Sequence, residues 1–210
     1  MMTFADRHEA GKLLAASLTE YATNTIVFAL PRGGVAIGGP VAQELNAPLG
    51  LVVARKIGHP SDPEYAVGAV TEIAPAVWNE HERANLDDTW ATQAEAAGRA
   101  EVKRRQKIYL AGHRPVSAGG KTAIIVDDGI ATGLTMQAAI HEVRQQKPAR
   151  IVVAAPVASE EAVDILLEEA DKVIILDKPQ NFLGAVGSHY EEFPQLTDDD
   201  VIDILDRFEA

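Results

Sequence analysis

The sequence predicts an α/β fold: a single domain built on a central, mostly parallel sheet flanked by helices. Three observations predict it. Short segments that are apolar throughout recur along the chain, as strands buried on both faces require. Segments with apolar residues at helical spacing stand between them. Glycine-rich or acidic breaks follow several strands, and a strand–helix–strand succession closes as right-handed crossovers onto one parallel sheet.

Taken in order, Asp6 to Tyr21 has helical spacing, with Ala10, Leu13, Leu14, Leu18 and Tyr21 on one side. Ile26 to Leu30 reads as a buried strand, broken by Pro31-Arg32-Gly33-Gly34. Val35 to Leu45 is helical, and Leu49 to Ala54 is the next strand. Residues 57 to 66, rich in Gly, Pro, Ser and Asp, read as a mobile loop. Val67 to Ile73 and Ala76 to Trp78 form a small hairpin. Leu86 to Leu110 is a long polar helix with a break near Gly98, followed by a loop at Pro115 to Gly120. Strands are expected at Ala123–Val126, Ile151–Ala155 and Lys172–Leu176, with helices at 134–146 and 159–170 between them. An irregular C-terminal hood segment, Lys178 to Phe193, precedes a short acidic helix, Asp198 to Phe208. No linker or internal repeat divides residues 1–210, so one domain is expected.

Composition narrows the function. A hydrophobic content of 47% fits a globular chain. A net charge of -12 argues against a nucleic-acid partner, because phosphate backbones need a basic face. The absence of cysteine excludes disulfides, a thiol nucleophile and Cys-based zinc. The six histidines show no ligand spacing. No apolar stretch approaches membrane-spanning length, and the first residues lack a signal-peptide core. A cytoplasmic location with no membrane partner is the expectation.

The most informative run is Ile124-Ile125-Val126-Asp127-Asp128-Gly129-Ile130-Ala131-Thr132-Gly133-Leu134-Thr135. A strand ends in two adjacent carboxylates, and a loop of small residues then opens a helix. In a parallel sheet the carboxyl ends of strands are where ligands bind. Small residues there leave backbone N–H groups free to cradle a phosphate at the helix start, and Thr132 and Thr135 add hydroxyls. Carboxylates would repel that phosphate. They need a donor-rich partner, such as the vicinal hydroxyls of a ribose. The run therefore points to a ribose 5-phosphate group.

Ala123 to Val126, Asp127-Asp128 and Thr132-Gly133-Leu134-Thr135 together resemble the phosphoribosyl pyrophosphate signature of the type I phosphoribosyltransferases. The resemblance implies that Asp127 and Asp128 fix the ribose hydroxyls. It assigns Gly129, Ile130, Ala131, Thr132, Gly133 and Thr135 to the 5-phosphate loop. In the same family the loop after the first strand holds pyrophosphate, often with a non-proline cis peptide. Here that loop is Arg32, Gly33 and Gly34, and the cis bond would lie before or after Arg32. A basic pair, Arg55-Lys56, matches the position that stabilises the leaving group. The loop after it would be a flexible lid carrying Glu64 and Tyr65. The segment from Lys178 is similar to the base-pocket segment of hypoxanthine-guanine enzymes, which implies base contacts from Phe182 and Val186. No direct protein ligands to a metal are implied: Mg²⁺ is held through the substrate near Asp127 and Asp128. One departure stands out. Ala131 occupies the place where hypoxanthine-guanine enzymes carry a proposed general base, so the base comes from elsewhere, with Glu64 a candidate, or is not needed.

Two functions follow from the resemblance. The first is a Mg²⁺-dependent phosphoribosyltransferase of nucleotide salvage. It would pass ribose 5-phosphate from phosphoribosyl pyrophosphate to a nitrogenous, purine-like base, and it would form a homodimer. The second is a regulator that binds phosphoribosyl pyrophosphate or a nucleotide without turnover. Arg55-Lys56 and the lid favour the first.

Overall fold

The computed structural model describes residues 2–180, 182 and 185–208. Its elements in chain order are α1 (Arg7–Ala16), β1 (Thr25–Ala29), α2 (Gly33–Glu44), β2 (Leu49–Leu51), β3 (Arg55–His59), β4 (Asp62–Val70), β5 (Val77–Trp78), α3 (Glu80–Arg83), α4 (Asp88–Tyr109), β6 (Thr122–Val126), α5 (Leu134–Arg144), β7 (Arg150–Val157), α6 (Glu160–Glu169), β8 (Lys172–Asp177) and α7 (Asp198–Asp206). Short 3-10 turns at Thr19–Tyr21 and Val186–His189 complete them.

A five-stranded sheet runs in the order β2-β1-β6-β7-β8, and every pairing in it is parallel. The two-residue period of a strand divides its side chains between two faces. Val27, Ala29, Ile124, Val126, Val152 and Ala154 face α1, α2 and α7. Ile26, Phe28, Ala123, Ile125, Ile151, Val153 and Ala155 face α5 and α6. Both faces are buried, which explains why these strands read as unbroken apolar runs. From β1 the chain crosses outward to β2, and from β6 it crosses the other way to β7. Strand order therefore reverses between β1 and β6, and a crevice opens at the carboxyl ends of these two strands.

A second, three-stranded antiparallel sheet, β3-β4-β5, stands beside the first. It corrects three expectations. The strand expected over Leu49–Ala54 stops at Leu51. Val52 N–H still donates to the Ala29 carbonyl at 3.1 Å, but Val53 and Ala54, though buried, pair with no strand and link the two sheets; burial alone cannot distinguish a linker between two cores from a strand. The loop expected over 57–66 is a β-hairpin instead, its tip exposed from Pro60 to Tyr65. β4 begins at Asp62, pairs with both β3 and β5, and ends at Val70, short of the expected Ile73. The break expected near Gly98 is absent, since α4 runs through it. A Cβ at Gly98 would lie 2.6 Å from Val70 Cγ2, so this glycine makes room for a helix–sheet contact. The short α3 was not expected from the sequence.

Candidate active site

The register of the sheet builds the site. Ala29 of β1 lies opposite Val126 of β6, so the segments leaving these strands start side by side. Leu30 N–H donates to the Val126 carbonyl at 3.0 Å and continues the ladder by one residue. The Pro31–Arg32 peptide is cis, the earlier of the two places expected. The next turn then packs directly on the acids. A Cβ on Gly33 would collide with Asp128 Oδ2, and one on Gly34 would lie 2.8 Å from the Val126 carbonyl oxygen. Only glycine allows this approach. Two motifs almost a hundred residues apart in sequence thus form one wall.

The acids are asymmetric. Asp128 N–H donates to Asp127 Oδ1 at 2.8 Å. Burial pushes the Asp127 carboxyl well above the usual carboxylate range, and the charge of Asp128 adds to the shift, while Lys56 pulls it down. Asp128 is held from two sides. Arg7 Nε of α1 donates to its Oδ2 at 2.8 Å, and Tyr190 O–H donates to its main-chain carbonyl at 2.6 Å. Arg7 in turn lies 3.6 Å above the Phe193 ring and donates through Nη1 to the Pro194 carbonyl at 2.8 Å.

The loop after the acids is anchored on one side and open on the other. Val186 packs on Gly129. Ile130 N–H donates to the Val157 carbonyl at 2.9 Å, and Ser159 Oγ donates to the Ala131 carbonyl at 2.6 Å. Thr132 is exposed, and Gly133 takes a φ of 78°, which turns the chain into α5. The Thr135 hydroxyl oxygen is buried and has no hydrogen-bond partner.

Helix capping separates this region from the rest of the chain. At the N-termini of α1, α3, α4, α6 and α7 a backbone N–H donates to the capping side chain of Asp6, Asn79, Asp87, Ser159 and Thr197 respectively. Neither α2, after Arg32, nor α5, after Gly133, has a side-chain cap. The first N–H groups of a helix need acceptors; at α2 the Gly34 and Val35 N–H groups donate to the Leu30 and Arg32 carbonyls at 3.0 and 3.2 Å, and the positive end of each helix dipole, free of a side-chain cap, still favours an anion. Both uncapped ends open beside the acids.

The basic residues ring this wall. Arg32 and Arg55 are each close to half exposed. Arg32 Nη1 lies 3.7 Å from Asp198 of α7, and Arg55 Nη1 lies 3.9 Å from Glu101 of α4. Hydrogen bonds from Arg104 and Arg105 lower the Glu101 carboxyl to about 2. Tyr109 O–H donates to Asp198 at 2.6 Å, and burial followed by that contact pushes the phenol up to about 12. Lys56 is exposed on β3. Glu64 and Tyr65 lie at the exposed tip of the β3–β4 hairpin, where Tyr65 O–H donates to Glu82 at 3.1 Å. Phe182 faces inward, its ring 5.0 Å from that of His189 and packed on the core. Asn181, Leu183 and Gly184 of the same segment lie outside the described residues. Among the described residues no group of three or more His, Cys, Asp or Glu is placed to hold a metal. A cavity of about 860 Å³ lies at the β2 edge, between the 112–116 segment and α5, and neither acid lines it.

Sequence reasoning missed Arg7, Tyr190, Glu101 and Asp198. Arg7 is 121 positions from its partner, and no local pattern announces such a contact.

Comparison with known proteins agrees with this geometry. Residues 6–191 match the phosphoribosyl transferase domain family. Two Mycobacterium tuberculosis relatives, from strains CDC 1551 and H37Rv, bear phosphoribosyl transferase as a provisional name and are each 38% identical over 210 residues. The match covers 99% of this chain and 47% of each relative, so the chain spans about half the length of these proteins. The crystal structure of TT1426 from Thermus thermophilus is 39% identical, covers 100% of both chains and superposes with a TM-score of 0.84. AQ2163 from Aquifex aeolicus shares the fold at 13% identity, with a TM-score of 0.51 over 85% of this chain and 76% of that one. By the extent of the domain match, over the same residues that carry the paired acids and both uncapped helices, this chain belongs to the phosphoribosyl transferase family.

Proposed function

We propose that the chain transfers ribose 5-phosphate from phosphoribosyl pyrophosphate to a nitrogenous, purine-like base and releases pyrophosphate. One observation carries the reading: two uncapped helix N-termini flank a pair of carboxylates at the strand-order reversal. Anions fit the helix ends and hydroxyl donors fit the acids, and a phosphorylated ribose with a pyrophosphate on C1 presents both.

In this mechanism the N–H groups opening α5, with Thr132 and Thr135, bind the 5-phosphate. The turn at Arg32, Gly33 and Gly34, opening α2, takes the pyrophosphate with Arg55 and Lys56. Asp127 and Asp128 hold the ribose hydroxyls. The base nitrogen attacks C1 as the C–O bond to pyrophosphate breaks, through a transition state with oxocarbenium character. No covalent protein nucleophile is needed: positioning, and charge stabilisation on the departing oxygens, do the catalysis. Paired carboxylates are hard oxygen donors of the class Mg²⁺ accepts while keeping water and phosphate ligands, so Asp127 and Asp128 fit it. When bound, the ion would neutralise charge on the pyrophosphate. Closure of the β3–β4 hairpin would exclude water and bring Glu64 and Tyr65 toward the base. Val186, packed on Gly129, and Phe182 are proposed to shape the base pocket.

The test is a thermal shift with phosphoribosyl pyrophosphate and MgCl₂, followed by pyrophosphate release against a panel of purines and pyrimidines. A shift with release on one base supports the transferase. A shift with no release on any base would assign the site to a sensor. No shift would remove the reading. Homodimer formation and a cytoplasmic location belong to the same proposal. Among the described residues no helix is long and apolar enough to cross a membrane.

A further inference from the structure

We propose that Arg7 is the positioning residue of the ribose subsite, holding one oxygen of Asp128 so that the other is aimed at the vicinal hydroxyls of the sugar. The proposal rests on the ribose reading of the acid pair and goes beyond it: it names what makes this site prefer ribose over deoxyribose phosphates.

Arg7 is 9% exposed, and a buried guanidinium costs stability unless it is closely partnered. Its partners are Asp128 Oδ2, the Pro194 carbonyl and the face of Phe193. The contact with Asp128 goes through Nε alone. A purely structural arginine–carboxylate pair gains most from a two-pronged grip, which would occupy both oxygens. Here Nη1 is spent on the Pro194 carbonyl and the guanidinium engages Oδ2 alone, so Arg7 does not hold Oδ1.

The rest of the carboxylate's surroundings are equally restrictive. Gly33 packs against Oδ2 so closely that no side chain fits between them. Tyr190 fixes the Asp128 main chain. The neighbouring Asp127, at the end of β6, feels the charge of Asp128 and the opposing charge of Lys56 on β3.

The support for Arg7 is also built in. Phe4 N–H donates to the His189 carbonyl at 3.0 Å, and Glu191 N–H donates to the Phe4 carbonyl at 2.8 Å. Glu192 N–H donates to the Ala5 carbonyl at 2.9 Å. These bonds sew the start of α1 to the segment that supplies Tyr190, Phe193 and Pro194. Asp6 caps the first turn through Glu9 N–H at 2.8 Å. Arg7 therefore projects from a fixed base toward a fixed carboxylate, as a specificity-setting group must.

The experiment measures affinity for ribose 5-phosphate and for 2-deoxyribose 5-phosphate, each with MgCl₂, in the wild-type chain and in Arg7→Met and Arg7→Lys. A hydroxyl donating to an ionised carboxylate supports a wild-type preference for ribose of about tenfold or more. Arg7→Met is expected to lower that ratio to about twofold or less while affinity for the deoxy sugar phosphate persists, because the phosphate loop is untouched. Arg7→Lys, which keeps a charge but not the rigid fork, should fall between them. If Arg7→Met does not melt cooperatively, Arg7→Lys and Phe193→Leu carry the same ratio measurement. A wild-type ratio in variants that fold overturns the role of Arg7. A wild-type chain that binds both sugars equally overturns instead the ribose reading beneath it.

Discussion

Thr135→Val separates stability from binding by sign. The Thr135 hydroxyl is buried with no acceptor or donor within reach, at the first turn of α5. A buried hydroxyl without a partner costs about 1–3 kcal/mol in mutational data. Valine keeps the shape, replaces the hydroxyl with a methyl group and has a helix propensity close to that of threonine. The ligand-free variant should therefore be more stable by about 1 kcal/mol, which for a chain of this size raises Tm by about 2–4 °C. Ligand binding should move the other way. A hydrogen bond to a charged phosphate contributes about 1.5–3 kcal/mol, so affinity for ribose 5-phosphate should fall about 10- to 100-fold. Melts with and without ribose 5-phosphate read both effects in one experiment. A variant that is less stable without ligand would show that the hydroxyl has a structural partner. A variant that binds ribose 5-phosphate as tightly as wild type would show that the phosphate lies elsewhere.

Three other expectations concern the acids and the packing. Asp127→Asn combined with Asp128→Asn should abolish the thermal shift with phosphoribosyl pyrophosphate, and an unchanged shift would mean that the ribose site is misplaced. Burial raises the Asp127 carboxyl in the folded chain, so the folded state binds more protons than the unfolded one. Stability from this group is therefore present below the ordinary carboxylate value of 3.8 and is lost as pH rises from there through the raised value. Asp127→Asn alone should flatten that fall and stabilise the ligand-free chain at pH 7; urea melts across the range that show an unchanged slope would contradict it. Gly98→Ala places a Cβ 2.6 Å from Val70 Cγ2. Overpacking of this kind costs about 1–3 kcal/mol against about 1 kcal/mol gained in helix propensity. A net loss is expected in thermal melts, and a clear gain would mean that α4 shifts freely on β4.

Most of the core sheet was legible because its central strands β1, β6 and β7 are buried on both faces and carry the same apolar signature, while the edge strand β8 is half-buried but equally apolar from Val173 to Leu176. The antiparallel sheet was not. Its strands hold Gly58, Pro63 and the charged Arg55, Lys56, Asp62 and Glu64, the composition of a loop, and pairing with one another rather than local propensity makes them strands. Gly98 misled for a related reason: a glycine inside a helix pattern reads as a break, whereas here it makes room for Val70. The acid pair, the phosphate loop and the two glycines after β1 stood out as local runs because each must leave a strand and turn within a few residues.

The sequence by itself determined the α/β class, the acid pair and the small-residue loop, since each depends on neighbours within about a dozen positions. Tertiary structure decided what surrounds them: that Ala29 and Val126 share a level, that Gly33 lies against Asp128, and that Arg7 reaches the acid pair from the first helix. Those relations depend on how strands are ordered and where helices cross, and no local pattern of residues encodes the distance between two segments that meet only when the chain folds.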